Sequence, residues 1–480
     1  ILINIVVKIK KMLILTPIIY YNMDSFRDII SDLLDSNVGR AILVFSSAVK
    51  CQAMRVESMV KKNGIQIEFS ELCESDANAL STILLQMKSY KPDCIIGMGG
   101  GHCMDIAKVL RVLYEDPNTT LRSLAMGTNN NDKEKSSKKA MIHRRGSLIK
   151  KLVCIPTTCG SGSEVTSTAV LRNDDGRQMI VSGVAFLPDI SVIDSSFILT
   201  IPMFVASITG MRALLHGLES YISNSSNHYS SCMAIQSLRI LFNSLTKAVI
   251  EKDISLLQEI HKAASISGVA ISATDVGLGT ILSRSISEVF TLPHGLIDSI
   301  VITQVLNFNI KKSQTVGPLI ANLSVELGIS NPEDSNSNKI QALLNRIDEI
   351  KKTLLLPDSL SSIHSSLSNF KSKGWFDPIG VKLSVFSQCI EIDNQEFINH
   401  VSGSFSISDK ETRAYVTEEN ALRTIPILSK KSVIDNLNFN TLQMNLDRMI
   451  SRALSDEAIH TNPATVTKED LSTILKETWG

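Results

Sequence analysis

Net charge is the first thing this chain lacks. Lys+Arg and Asp+Glu both number 48 among 480 residues, so no global field draws it to nucleic acid or anionic lipid, and any polyanion site must be local. Paired-cysteine motifs are missing as well. The eight cysteines (51, 73, 94, 103, 154, 159, 232 and 389) are scattered without CxxC or zinc-finger spacing, several of them inside apolar runs such as Pro92-Asp93-Cys94-Ile95-Ile96. They read as reduced, small core residues of a cytoplasmic protein. The longest apolar stretch, 1–21, is broken by Lys8, Lys10 and Lys11 and falls short of the ~20 apolar residues a spanning helix needs. No membrane segment is expected, and with no small-residue cleavage site after the run and Ile rather than Met at residue 1, signal-peptide and initiator arguments both fail. No repeat of fixed period occurs.

What is present is ordinary globular material: 44% hydrophobic and 20% charged residues, too apolar for bulk disorder. At roughly 150 residues per domain, the length allows two or three compact units. From Arg40 to Ala107, short apolar runs (Ala41 to Phe45, Ile65 to Phe69, Cys94 to Met98) alternate with helical stretches. That alternation implies right-handed crossovers and a parallel sheet covered on both faces. Beyond about Pro202 the periods become helical, as in 205–223, 230–249, 256–273 and 295–308. The expected architecture is therefore an α/β doubly wound parallel-sheet nucleotide-binding domain over 12–200, followed by an all-α helical domain over 201–480. A basic stretch at about 127–151 and a Ser-rich polar stretch at about 361–431 read as insertions, the first a solvated loop and the second partly ordered at most.

Two loops carry the chemistry. Gly97-Met98-Gly99-Gly100-Gly101-His102 lies between an apolar strand and a helical run, where adjacent glycines let backbone approach a pyrophosphate and a helix start stabilises its charge. It is not the GxGxxG fingerprint. A second loop, Ile155 to Glu164, supplies small hydroxyl-bearing residues suited to ribose and phosphate hydrogen bonds. Two such loops on one sheet point to a dinucleotide crevice.

Gly99-Gly100-Gly101 with Asp105, Ala107 and Lys108 resembles the GGGSxxDxAK motif of iron-containing alcohol dehydrogenases, and Pro156 to Thr166 resembles their PTTxGTGSEVT loop. The similarity runs on through Pro188-Asp189, Asp194, Gly210 to Ser223 and Pro293-His294-Gly295. Tyr114-Glu115-Asp116-Pro117 and Asn462-Pro463 are similar to the C-terminal half of bifunctional aldehyde-alcohol dehydrogenases; the aldehyde dehydrogenase half of those fusions is absent from this sequence. The resemblance implies NAD or NADP as cofactor, with Gly99, Gly100, Gly101, His102, Asp105, Thr157, Thr158, Gly160, Ser161, Ser46 and Gln178 at cofactor-binding positions. Ser46 stands where the family has an Asp that bonds the adenosine ribose, which would remove the repulsion of NADP and leaves the preference open. Gln178 aligns near the place of a Lys beside the nicotinamide, and His102 replaces a Ser.

The resemblance also implies a divalent ion, Fe2+ or Zn2+, held by one Asp and three His, and here the chain departs. Arg212 takes the place of the Asp, four residues before His216, and Leu282 aligns with the third ligand across a two-residue gap. His216 and His294 remain. An Arg is always protonated and offers no lone pair. At ~5 Å and an effective dielectric of ~20, it opposes a dication by about 6–7 kcal/mol. The family ion stabilises the alkoxide during hydride transfer, so metal-assisted chemistry is expected to be weak or lost while nucleotide binding persists. Three readings stay open: that silent relative; an active NAD(P)-dependent alcohol/aldehyde oxidoreductase using a residual or different metal site; and a site in which the Arg212 guanidinium polarises a carbonyl or holds a phosphate. His216, His294 and Arg212 are the catalytic candidates. His143, His228, His261, His364, His400 and His460 read as surface or capping residues, and Glu219, Asp189 and Asp194 as helix or loop hydrogen-bonding groups. The resemblance suggests a small alcohol or aldehyde as ancestral substrate and self-association into homo-oligomers. No nucleic-acid partner is expected.

Overall fold

The computed structural model describes residues 15–72, 76–126, 148–172, 177–373, 375 and 437–480. Six parallel strands form one sheet in the order β1-β8-β5-β4-β2-β3, with β1 at Ile18–Tyr21, β2 at Arg40–Ser46, β3 at Gln66–Leu72, β4 at Cys94–Gly99, β5 at Lys151–Pro156 and β8 at Ile190–Ile193. The intervening helices are α1 (Ile29–Asp35), α2 (Lys50–Lys62), α3 (Asp76–Tyr90), α4 (Gly101–Glu115) and α5 (Leu121–Met126). β2 shows why its sequence is a continuous apolar run. Ala41, Leu43 and Phe45 pack with Ala53, Val56 and Val60 of α2 on one face, while Ile42 and Val44 pack with Leu80, Ile83 and Leu110 of α3 and α4 on the other. Successive side chains of a strand point to opposite faces, so a strand covered on both sides needs apolar residues at every position.

The helix after β2 and the helix after β4 thus cover opposite faces, and β2 and β4 are neighbours. That pair is the topological switch point of the sheet, where a crevice opens beyond the carboxyl ends of the strands. Ser46 ends β2 and Gly99 ends β4. An antiparallel hairpin, β6 (Thr168–Arg172) with β7 (Gln178–Ser182), stands apart from the sheet and overhangs this end.

The rest is helical: α6 (Met203–Ile222), α7 (His228–Ile250), α8 (Ile254–Thr274), α9 (Leu278–Phe290), α10 (His294–Lys312), α11 (Val316–Glu326), α12 (Asn336–Thr353), α13 (Ile363–Ser372), α14 (Phe439–Ser455) and α15 (Lys468–Trp479). Their caps follow from sequence: Asn227 accepts from the backbone N–H of Tyr229 and Ser230, and Asp253 from Ser255 and Leu256, satisfying donors that a helix start leaves open. α6 is buried along most of its length in the apolar core shared with α7, α8 and α10.

Three expectations need correction. The polar stretch expected over 361–431 starts later, because Ile363–Ser372 is a helix whose Phe370 packs edge-on against Phe204 of α6 and beside Trp375. Residues 376–431, like 127–147 of the basic stretch, lie outside the described residues. Cys94, Cys103, Cys154 and Cys159 are buried as expected, whereas Cys51 and Cys232 are exposed. His261 is not a surface residue; it is 1% exposed, and burial pushes its pKa down to about 4. Among the described residues no single helix is long and apolar enough to cross a membrane.

Candidate active site

The α4 start is built for close approach. Gly99 has φ +148°, open to glycine and strained for other residues, and its carbonyl accepts from Thr157 N at 2.9 Å, tying the two loops together. A Cβ on Gly101 would sit 2.8 Å from Ser161 Cβ. The second loop is wedged against the helical half: a Cβ on Gly160 would lie 1.9 Å from the Thr209 carbonyl oxygen, and one on Gly162, at φ +64°, 2.5 Å from Gly268 Cα.

Beneath the loops lies a polar staple. Lys108 is fully buried and its Nζ donates to Ser163 Oγ at 3.0 Å, Thr166 Oγ1 at 3.1 Å and the Thr168 carbonyl at 2.8 Å. Asp105 accepts from Ser163 Oγ and, at 3.0 Å, from Val170 N, and it pairs with Lys108 at 3.5 Å. Asp105 lines the cleft, yet its oxygens are engaged by protein. Its place is to fix the second loop and the β6–β7 hairpin to α4.

The resulting cleft, about 1840 Å³, exceeds the ~300–1,000 Å³ typical of small-molecule pockets. Of the sequence-derived cofactor positions, Gly100, Gly101, His102, Asp105, Thr158, Ser161 and Gln178 line it. Gly99, Thr157, Gly160 and Ser46 stand behind the wall. Glycines that admit backbone, a 15-residue helix pointing its N-terminus at the space and the hydroxyls of Thr158 and Ser161 fit the pyrophosphate and ribose of NAD or NADP.

The floor lies between α6, α9 and α10. Arg212 and His216 share one face of α6, and His294 and Asp298 one face of α10, each pair four residues apart. Arg212 Nη1 donates to Asp298 Oδ2 at 2.8 Å, a pair in which Asp298 is wholly buried; burial pushes the Asp298 carboxyl up, opposed by Arg212. Arg284 of α9 pairs with Asp456 at 3.0 Å. His294 Nε2 lies 3.2 Å from Gln178 Nε2, and its Nδ1 3.3 Å from Ser283 Oγ. His216, 2% exposed, has no partner at either ring nitrogen. Both imidazoles are held well below their ordinary pKa by burial and then by Arg212, with Arg284 adding to the effect, so both are neutral.

Arg212, His216 and His294 therefore come together, whereas Leu282 does not join them. It is fully buried in the apolar core and is absent from the cleft wall. Arg284, two residues further along, faces the cleft, and two residues of helix turn a side chain through about 200°. Sequence reasoning missed Arg284, Asp298 and Asp456. It also missed Arg452, which donates to Glu288 at 3.0 Å and to the Gln178 carbonyl at 2.6 Å. Glu219 accepts from Thr280 N and Oγ1, Asp189 from Leu152 N and Asp194 from Asp24 N and Phe26 N, all as hydrogen-bonding groups of the scaffold.

Among the described residues no three His, Cys, Asp or Glu side chains come together in a metal-holding group. The Gln178 amide meets His294 Nε2 at 3.2 Å, and Arg212 and Arg284 line the same cleft as His216.

Comparison with known proteins agrees with the fold and the loops. Residues 16–195 match the family model "Iron-containing alcohol dehydrogenase", and 206–365 match "Fe-containing alcohol dehydrogenase family, C-terminal". The bifunctional aldehyde-alcohol dehydrogenase AdhE of Escherichia coli (strain K12) is 27% identical over 362 residues, 71% of this chain and 40% of that protein. The aldehyde-alcohol dehydrogenase of Streptococcus pneumoniae is 32% identical over 46% of this chain and 25% of its own length. This chain thus spans less than half of those bifunctional relatives. An alcohol dehydrogenase of Thermococcus barophilus is 27% identical over 70% of this chain and 86% of its own. The solved iron-containing alcohol dehydrogenase of Thermococcus thioreducens superposes with a TM-score of 0.72 at 19% identity, covering 98% of this chain and 99% of that one, a likeness of fold. By both halves of its sequence, by its sheet and helices and by its two glycine loops, the chain belongs to the iron-containing alcohol dehydrogenase family.

Proposed function

We propose that this family member binds NAD or NADP between the Gly99–Gly101 turn and the 157–163 loop, and that its cleft floor is organised by arginine in place of a divalent ion. The carrying observation is Arg212, which stands in the cleft wall four residues before His216 and is held there by the buried Asp298. In the family, a bound ion supplies the charge that polarises the alcohol oxygen. In this chain the groups facing the same space are the guanidiniums of Arg212 and Arg284 and the neutral imidazole of His216. NAD(P)-linked interconversion of a simple primary alcohol and its aldehyde, the reaction named for the relatives, is then weak or absent. Elemental analysis of purified protein, with NADH and NADPH fluorescence titrations and an ethanol oxidation assay, tests the reading. The expected result is less than about a tenth of an equivalent of iron or zinc, saturable nucleotide binding and no measurable turnover of ethanol. Stoichiometric metal together with turnover would overturn it.

One observation favours a second reading, that of an active alcohol/aldehyde oxidoreductase with a residual metal site: His216 keeps both ring nitrogens free and buried against the cleft. The same metal analysis decides between the two.

A further inference from the structure

We infer that the floor of the cleft, between α6, α9 and α10, is a receptor for the carboxylate group of a short acidic ligand, through Arg212, Arg284 and His216. This deepens the proposed function by naming its substrate class, a short hydroxy- or oxo-acid, and rests on that reading only for the nucleotide that shares the cleft.

Three observations carry it. Arg212 and Arg284 both line the cleft, and each gives a single terminal nitrogen to a protein carboxylate, Asp298 at 2.8 Å and Asp456 at 3.0 Å. A guanidinium has five N–H donors in a planar fork that matches a carboxylate edge, so each retains donors that no described residue takes up. His216 is 98% buried and faces the same space with neither ring nitrogen partnered. A buried polar group without a partner is costly, and a neutral imidazole carries one N–H that an anion's oxygen would accept. Arg212, Arg284 and His294 all oppose protonation of His216, while Asp298 and Asp456 each balance one guanidinium, so the array meets an anion through its remaining N–H donors rather than through a net positive charge. A neutral alcohol would bring one acceptor and no charge to this array. A phosphate dianion would bring twice the charge of a carboxylate to guanidiniums that already hold one carboxylate each, which is why the monoanion is the better match.

The test is calorimetric titration of the whole chain with sodium glycolate, at constant ionic strength set with sodium chloride. Ethylene glycol is the neutral isostere, inorganic phosphate the competing anion, and NADH fluorescence is recorded on the same samples. Glycolate is expected to bind saturably and about tenfold or more tightly than either comparator, the usual scale of a hydrogen bond to a charged group. The paired substitution Arg212→Gln with Asp298→Asn, which removes both charges together, is expected to weaken glycolate about tenfold. His216→Phe, which leaves both ion pairs intact, is expected to weaken it measurably while NADH still binds. Glycolate affinity unchanged in both variants, no binding to the wild type, or tighter binding of phosphate would each overturn the inference. Loss of NADH binding in the wild type with glycolate binding intact would instead sink the proposed function and leave the carboxylate receptor standing.

Discussion

Arg212→Asp, which would set beside His216 the carboxylate that the family resemblance implies, is expected to destabilise the fold when made alone. Asp298 is wholly buried with Arg212 as its ion partner, and its other oxygen, Oδ1, has no partner. Substitution removes the cation and sets a second carboxylate against the first. Breaking a buried pair by deleting one member costs about 3–5 kcal/mol, a large fraction of the ~5–15 kcal/mol that holds a typical domain together. Arg212 itself is 18% exposed, which favours the lower end, about 3 kcal/mol. The assay is urea denaturation at pH 7 of four proteins: wild type, Arg212→Asp, Asp298→Asn and the double variant. The expected pattern is a loss of about 3 kcal/mol in Arg212→Asp, most of it recovered in the double variant, with a coupling of about 2 kcal/mol between the sites. If Arg212→Asp were within 0.5 kcal/mol of wild type, the scale of a neutral surface change, or the double variant no more stable than the single, the pairing argument would be wrong.

Three further outcomes are expected. Lys108→Met leaves Asp105 without its cation and frees Ser163, Thr166 and Thr168 from their common donor; a loss of about 3 kcal/mol in denaturant midpoint, with weaker NADH binding, checks it, and an unchanged midpoint counts against the staple. Gly101→Ala meets side chains, Ser161 closely and Ser163 at 3.8 Å, and should weaken NADH about tenfold (~1.4 kcal/mol) with circular dichroism unchanged, whereas Gly160→Ala meets the Thr209 backbone and should lower the melting midpoint as well. Asp93 accepts from Arg40 N at 2.9 Å, Gly39 N at 3.1 Å and Lys150 Nζ at 2.9 Å; burial pushes its carboxyl up, but those donors outweigh it and the net shift is downward. A carboxylate with a depressed pKa stabilises the fold above its unfolded pKa and loses that contribution as pH falls through the folded value. Asp93→Asn should therefore cost about 1 kcal/mol at pH 7 for this partly exposed group, with the wild-type advantage fading as pH falls below the unfolded carboxylate value of about 3.9; a difference that persists undiminished in strong acid would refute the assignment.

Much of the sheet was legible because its central strands are covered on both faces, which forces unbroken apolar runs such as Ala41 to Phe45 and Cys94 to Met98. The β6–β7 hairpin went unread although its signal was present: Asn173-Asp174-Asp175-Gly176 separates two short strands rich in β-branched residues, a turn composition suited to hairpins. Arg212, His216 and His294 were named through the family resemblance of the segments 210–223 and 293–295. Leu282 was misplaced because the Gly277-Leu278-Gly279 entry and the Pro293-His294 exit disagree by two residues, and packing of α9 against Glu219 and the core sets its rotation. Asp298 and Asp456 escaped notice for a different reason. A carboxylate is singled out only when its counter-ion is known, and Asp456 lies 172 residues from Arg284.

The loop at 157–163 leaves the sheet from β5, yet its glycines rest directly on the backbone of α6 and α8 at Thr209 and Gly268. One wall of the cleft is consequently cemented to the opposite half of the molecule. Because Lys108 and the Gly99 carbonyl hold the same segment to α4 and β4, it bridges sheet and helices, and the two halves cannot part along it without breaking contacts on one side or the other.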